Sequence, residues 1–191
     1  MRLFVALVIP AEVRNNLAAF LTEMRVLTEQ LADKSVRWVR PENLHVTLKF
    51  IGEVAPAKRE GIRSALANVR LDGPVDLRFR GLGFFPHENQ PTVLWTGLEA
   101  SANLAKLADD IDQSMVPRGI RRENRPFVPH LTLARLAPPV LHEKLRESIR
   151  KNREQEFGGF QTQEFHLIES TLKPAGAEYT TLRSFRFMAE S

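Results

Sequence analysis

The chain has 191 residues, 43% hydrophobic and 26% charged, with 27 Lys and Arg against 23 Asp and Glu for a formal charge of +4. That balance excludes a disordered polymer and allows a sizeable core without cross-links, while the modest basic excess favours an anionic partner such as nucleic acid. There is no cysteine, which excludes disulfides, thiolate nucleophiles and cysteine zinc sites and suits a cytoplasmic location.

Residues 2–10, RLFVALVIP, read as a strand. The start has the outline of a short signal peptide, but its apolar run is seven residues, Pro10 ends it and no small-residue cleavage site follows; a buried first strand is expected. No run approaches the roughly 20 apolar residues that span a bilayer, so no membrane partner is expected. Residues 11–33 carry Leu17, Phe20, Leu21, Met24, Leu27 and Leu31 at helical spacing. A short strand over 35–39, a turn at Pro41 and Asn43, and a strand over 44–52 follow. Residues 55–70 read as a helix with Pro near its start, 75–85 and 92–99 as strands joined by PHENQP, and 101–115 as a second long helix. A basic loop at 117–129 leads to a strand at 130–136, the break APP, a helix over 140–152, a strand over 160–170, a turn TLKPAGAE and a strand over 179–187.

One small pattern occurs twice. ENLHVTLKFI and FVPHLTLARL each run His, apolar, Thr, Leu, with His45 and His130 85 positions apart. At that offset Thr47 meets Thr132 and Trp95 falls near Thr180. Each half also gives a His-Thr strand, a break, a helix, a long strand, a turn and a closing strand. The order predicts a duplicated unit of roughly 80–90 residues, too few copies for a solenoid, packed as two lobes about a pseudo-twofold axis. The fold class expected is α+β, each lobe an antiparallel sheet with helices on its outer face and a central cleft between them. The whole of 1–191 forms one domain of two intertwined lobes, and a monomer suffices because one chain supplies both halves.

In a strand, residues i and i+2 share a face. His45 and Thr47 therefore point one way and Val46 and Leu48 the other, as do His130 and Thr132 against Leu131 and Leu133. Two imidazoles across a cleft suit acid–base phosphodiester chemistry. One, neutral, takes a proton from the attacking oxygen; the other, protonated, gives one to the leaving oxygen. The threonine hydroxyls can donate to non-bridging phosphate oxygens. A metal site is disfavoured because neither motif brings an Asp or Glu onto its polar face, and no cofactor is expected.

The chain resembles the two-histidine phosphoesterases, and within them the RNA 2′,3′-cyclic phosphodiesterases, also called 2′-5′ RNA ligase-like proteins. The resemblance runs through RLFVALVIP, RWVRPENLHVTLKFIGEV, PTVLWTGL, RPFVPHLTLARL and ESTLKPAGAEYTTL. It implies metal-free hydrolysis of an RNA 2′,3′-cyclic phosphate to a 2′-phosphomonoester, with 2′-5′ ligation as the reverse reaction. It also implies that His45 is the proton donor, His130 the proton acceptor, and Thr47 and Thr132 the phosphate-holding hydroxyls. Small cyclic nucleotides as substrates, a non-catalytic RNA-binding module and a metal-dependent hydrolase remain the alternatives.

Arg135 stands where the first motif has Phe50, and the resemblance implies substrate contact there. Strict alternation turns Arg135 away from His130, so a bend or bulge is required. Phe84, beside Phe85 at the end of its strand, Tyr179 and Arg125 are further substrate-binding candidates, the last within the basic run RGIRRENR. Lys49 reads as a solvated residue. His87, His142 and His166 lack a Thr two places on and are left out of the site.

Overall fold

The computed structural model describes residues 1–137, 141–174 and 176–187. Pro138, Pro139 and Val140, in the expected break and helix start, and Ala175, in the expected turn, lie outside the described residues. Nine strands and four α-helices are found among the described residues: β1 (Arg2–Val8), α1 (Ala11–Gln30), β2 (Val36–Trp38), β3 (His45–Glu53), α2 (Arg59–Ala67), β4 (Val75–Phe85), β5 (Val93–Ala100), α3 (Asn103–Met115), β6 (His130–Leu136), α4 (Glu143–Lys151), β7 (Glu156–Thr162), β8 (Glu164–Lys173) and β9 (Gly176–Arg186). The strand expected over 160–170 is in fact parts of two, because the chain changes sheet at Gln163. There the Thr162 hydroxyl donates to the Glu164 carbonyl and accepts from its amide. The expected turn over 171–178 is mostly strand, since β8 runs on to Lys173 and β9 begins at Gly176. None of the described helices is long and apolar enough to cross a membrane.

Two antiparallel sheets result, ordered β3-β1-β8-β9 and β2-β6-β5-β4-β7. With β2 set aside, the neighbour orders match: β3 corresponds to β6, β1 to β5, β8 to β4 and β9 to β7. Chain order had set Trp95 on β5 against Thr180 on β9. The sheets instead give β5 the place of β1, each beside its histidine strand. The lobes are intertwined because the first sheet takes β1 and β3 from the start of the chain and β8 and β9 from its end. Helices cross over as well. Helix α1 leaves β1 to pack on β7 and β2 of the second sheet, with α4 beside it, whereas α3 packs on β3 of the first sheet, with α2 beside it.

Strand β1 is buried on both faces. Leu3, Val5 and Leu7 turn to the main core, and Phe4 and Ala6 turn the other way, onto Ile168 and Tyr179. This explains its unbroken apolar sequence. Val5, Leu7, Val46, Leu131 and Leu133 are fully buried, and each such side chain contributes about 1.5–3 kcal/mol by leaving water.

Both histidine strands carry a bulge at the same place. In β3, Thr47 pairs with Ala6 and Lys49 with Val5, leaving Leu48 as the extra residue. In β6, Thr132 pairs with Trp95 and Ala134 with Leu94, leaving Leu133 as the extra residue. An inserted residue shifts the alternation by one. Phe50 and Arg135 thereby return to the face of the histidines, and Lys49 and Ala134 turn inward. Alanine fits an interior site, but the lysine needs a counter-charge. Lys49, expected in solvent, is 5% exposed, paired with Asp112 of α3, and donates to the Arg121 carbonyl at 2.7 Å.

This buried pair fastens α3 to β3. Asp112→Ala leaves the ammonium buried without its counter-ion and is expected to lower stability by about 3 kcal/mol, with Lys49→Met/Asp112→Leu recovering much of the loss. Urea denaturation reads both. A loss below about 1 kcal/mol in the single variant contradicts the pair's role.

Candidate active site

The two histidines are held in the same way. His45 Nδ1 lies 2.7 Å from the carbonyl of Asn43, and His130 Nδ1 lies 2.7 Å from the carbonyl of Val128. A carbonyl only accepts, so each Nδ1 carries a hydrogen and donates it. Each Nε2 is then left as an acceptor in the neutral ring and a donor in the protonated one. Asn43 is itself anchored, its side-chain amide donating to the Ala177 carbonyl on β9 at 2.8 Å. An aromatic ring backs each imidazole: Phe4 stands 4.8 Å from His45 and Phe85 4.9 Å from His130.

Strands β3 and β6 approach each other between the sheets. His130 and Arg135 both act electrostatically on His45, so the two polar faces meet in one cleft. Thr47 and Thr132 sit two residues beyond their histidines on the same faces. Neither hydroxyl has a hydrogen-bond partner among the described residues. Two such hydroxyls flanked by two imidazoles form a set of donors suited to an anion.

The other expected residues divide. Arg135, exposed and turned to the cleft by the bulge, brings its charge to both His45 and Tyr179. Tyr179 lies edge-on to His45 at 5.3 Å and to Phe4 at 5.0 Å. Phe84 is not on the cleft face. It packs against the main core, and Phe85 is the ring beside His130. The reason is a bulge in β4, where Phe79 pairs with Leu98 and Leu82 with Thr96, so Arg80 and Gly81 stand opposite Gly97 alone. That shift reverses the alternation through the rest of the strand.

Within the basic run, Arg122 is engaged with Asp109 and Asp112. Arg125 is exposed and makes no ion pair among the described residues. His142 caps α4, accepting from the Lys144 amide. His166 is buried and bonded to the Ser184 hydroxyl at 2.9 Å.

Sequence reasoning placed Phe84 and Phe85 together at the cleft rim and chose the wrong one of the two; it missed Phe4 and Trp95 as site residues and treated Phe50 only as a break in symmetry. Trp95 pairs with Thr132 on the cleft floor, and its ring lies tilted against Phe85 at 5.2 Å. Its ring lies over Gly83, where a Cβ would collide with the indole. Phe50 is 63% exposed and stands 6.2 Å from Phe4. The available signal was strand pairing: a residue opposite a His-x-Thr strand shares its face. Among the described residues no group of three or more His, Asp or Glu is placed to hold a metal ion.

Burial holds the His45 pKa below the ordinary imidazole value, and the positive charges of Arg135 and His130 push the same way, against the bond to Asn43. Between its lowered folded value and the unfolded value near 6.5, the unfolded chain binds more protons. The contribution of His45 to stability is therefore lost as pH falls through that window. Arg135→Gln removes one of the opposing charges and is expected to raise the His45 pKa. Histidine NMR titration checks it, and an unchanged or lower value contradicts the geometry.

A model of the 2′-5′ RNA ligase superfamily matches residues 13–174. The RNA 2′,3′-cyclic phosphodiesterase of Methanocaldococcus jannaschii is 32% identical over 185 residues, 97% of this chain and 100% of the relative. That of Methanothermobacter thermautotrophicus is 38% identical over 160 residues, 83% of this chain and 86% of the relative. Among solved structures, a protein of Thermus thermophilus superposes with a TM-score of 0.79 at 30% identity, covering 98% of each chain. E. coli LigT complexed with 3′-AMP gives a TM-score of 0.77 at 25% identity, covering 97% of each chain. A histidine strand repeated in two interlocked sheets is thus found in a chain that belongs to the 2′-5′ RNA ligase superfamily.

Proposed function

We propose that this chain is an RNA 2′,3′-cyclic phosphodiesterase that opens the cyclic end to a 2′-phosphomonoester by His/His acid–base catalysis, without a metal. The observation that carries this reading is the pair of cleft-facing imidazoles, each with Nδ1 committed to a backbone carbonyl, beside two threonine hydroxyls that have no partner among the described residues. The names of the relatives above support the substrate class.

The cyclic phosphate sits between the histidines with its non-bridging oxygens on Thr47 and Thr132. His130 Nε2 accepts a proton from water as the water oxygen attacks phosphorus. The bond from phosphorus to the 3′ oxygen breaks on the opposite side, and His45 Nε2 delivers its proton to that oxygen. The 2′ ester remains. With a 5′ hydroxyl in place of water as the nucleophile, the same displacement joins ends through a 2′-5′ linkage, the 3′ oxygen again leaving with the proton from His45. Burial makes protonated His45 a stronger acid, which suits a donor. The phosphodiester's negative charge offsets Arg135 and favours that protonated form once substrate is bound. Phe85 and Tyr179 hold the rings in place, and Arg135 contacts the phosphate or the adjoining base.

A short RNA ending in a 2′,3′-cyclic phosphate, incubated with excess EDTA, is expected to give the 2′-phosphate. His45→Ala and His130→Ala are each expected to lower kcat by at least about 100-fold. Turnover abolished by EDTA, or surviving in both variants, sinks the reading.

A further inference from the structure

At the edge of the second sheet, on the far side of Trp95 from Thr132, lies a notch of about 270 Å³, lined by Gly83, Phe84, Glu88, Trp95, Arg150 and Arg153 among others. It exists because β7 stops short. The pairing of β4 with β7 ends at Arg80 opposite Glu156. Beyond it the Gly81 and Leu82 amides donate to the carbonyls of Gln155 and Arg153. Antiparallel alternation turns the backbone of Phe84, two residues past Leu82, to the same open edge, its amide and its carbonyl together.

The notch is lined with donors. The Trp95 indole nitrogen is buried and has no hydrogen-bond partner. Arg153 is exposed, with no ion pair or side-chain hydrogen bond among the described residues. The acid lining the notch, Glu88, is already engaged: Arg150 Nε lies 2.9 Å from its carboxylate, and Arg146 donates to its carbonyl at 2.6 Å. Arg150 and Arg146 also stand 3.6 Å from Glu143. The charge of Arg153 also reaches Glu88, but it makes no ion pair of its own among the described residues, so the notch lining sets two arginines against one acid. A spare guanidinium, an open-edge amide and an unpaired indole N–H are complementary to an anionic group that accepts several hydrogen bonds.

We propose that this notch is a subsite for an internucleotide phosphate of the RNA strand that precedes the cyclic end. It rests on the phosphodiesterase reading above and adds to it a path. The terminal nucleotide lies between the histidines, the chain crosses the Trp95 floor beside Thr132, and the preceding phosphodiester reaches Arg153. The enzyme then distinguishes an RNA end from a cyclic mononucleotide, which has no phosphate to place there.

The test compares kcat/KM for 2′,3′-cyclic AMP and for a short oligoribonucleotide with a cyclic end, in the unmodified protein, Arg153→Ala, Arg153→Glu and Arg59→Ala, an exposed arginine on α2. The oligonucleotide-to-mononucleotide ratio is expected to fall roughly tenfold in Arg153→Ala, further in Arg153→Glu, and not in Arg59→Ala. The slope of log kcat/KM for the oligonucleotide against log salt should shrink by roughly 0.7 in Arg153→Ala, as one phosphate contact is lost. An unchanged ratio and slope, with turnover intact, overturns the notch alone. Failure of the unmodified protein to turn over either substrate overturns the phosphodiesterase reading and the notch with it.

Discussion

The arrangement depends on one local bond made twice: an imidazole Nδ1–H donating to the carbonyl two residues back along its own chain. A short strand-entry loop thereby fixes ring orientation and tautomer together. No second element has to be folded correctly for the bond to form, which is why a short sequence motif can carry it. The tertiary structure then only has to bring the two strands face to face. Asn43 shows where longer-range support enters, because its side chain ties the first loop to β9, 134 residues away.

The bulges turn this symmetric scaffold into an asymmetric site. The residue five places after each histidine returns to the cleft, and it is Phe50 in one lobe and Arg135 in the other. An RNA end has an apolar base face and a charged phosphate, so a site with one aromatic and one cation on matching positions suits it. Side-chain volumes are exchanged in the same spirit. Opposite the motif threonines stand Ala6 and Trp95; in the next strands stand His166 and Gly83. Each row across a sheet has one large ring and one small residue, placed on opposite strands in the two lobes. The small residue in each row leaves room for its large partner, as Gly83 does for the Trp95 ring.

The motif strands and the long helices were legible because each rests on local periodicity, and the two-sheet class because the His-Thr motif and its following elements repeat. What was not legible rests on strand pairing. Phe84 and Phe85 could be separated only by knowing that Arg80 and Gly81 bulge against Gly97. Lys49 looked like a surface residue because its burial depends on a bulge beside it and on an aspartate 63 positions later. Arg135 shows the opposite case: its distance from His130 already required an irregularity, and the register shift supplies it. The first half of β7 escaped notice because Gly158 and Gly159 weaken any strand signal, although Gly159 is required where a Cβ would run into the Leu77 carbonyl.

In the proposed mechanism the two histidines move protons on opposite sides of phosphorus in a single displacement, with no covalent phosphohistidine. The most direct measurement is the stereochemical course of hydrolysis of one diastereomer of a nucleoside 2′,3′-cyclic phosphorothioate in ¹⁸O-labelled water. A single in-line displacement gives inversion of configuration at phosphorus in the 2′-phosphorothioate product. Retention, the mark of two successive displacements through an enzyme-bound intermediate, would contradict it.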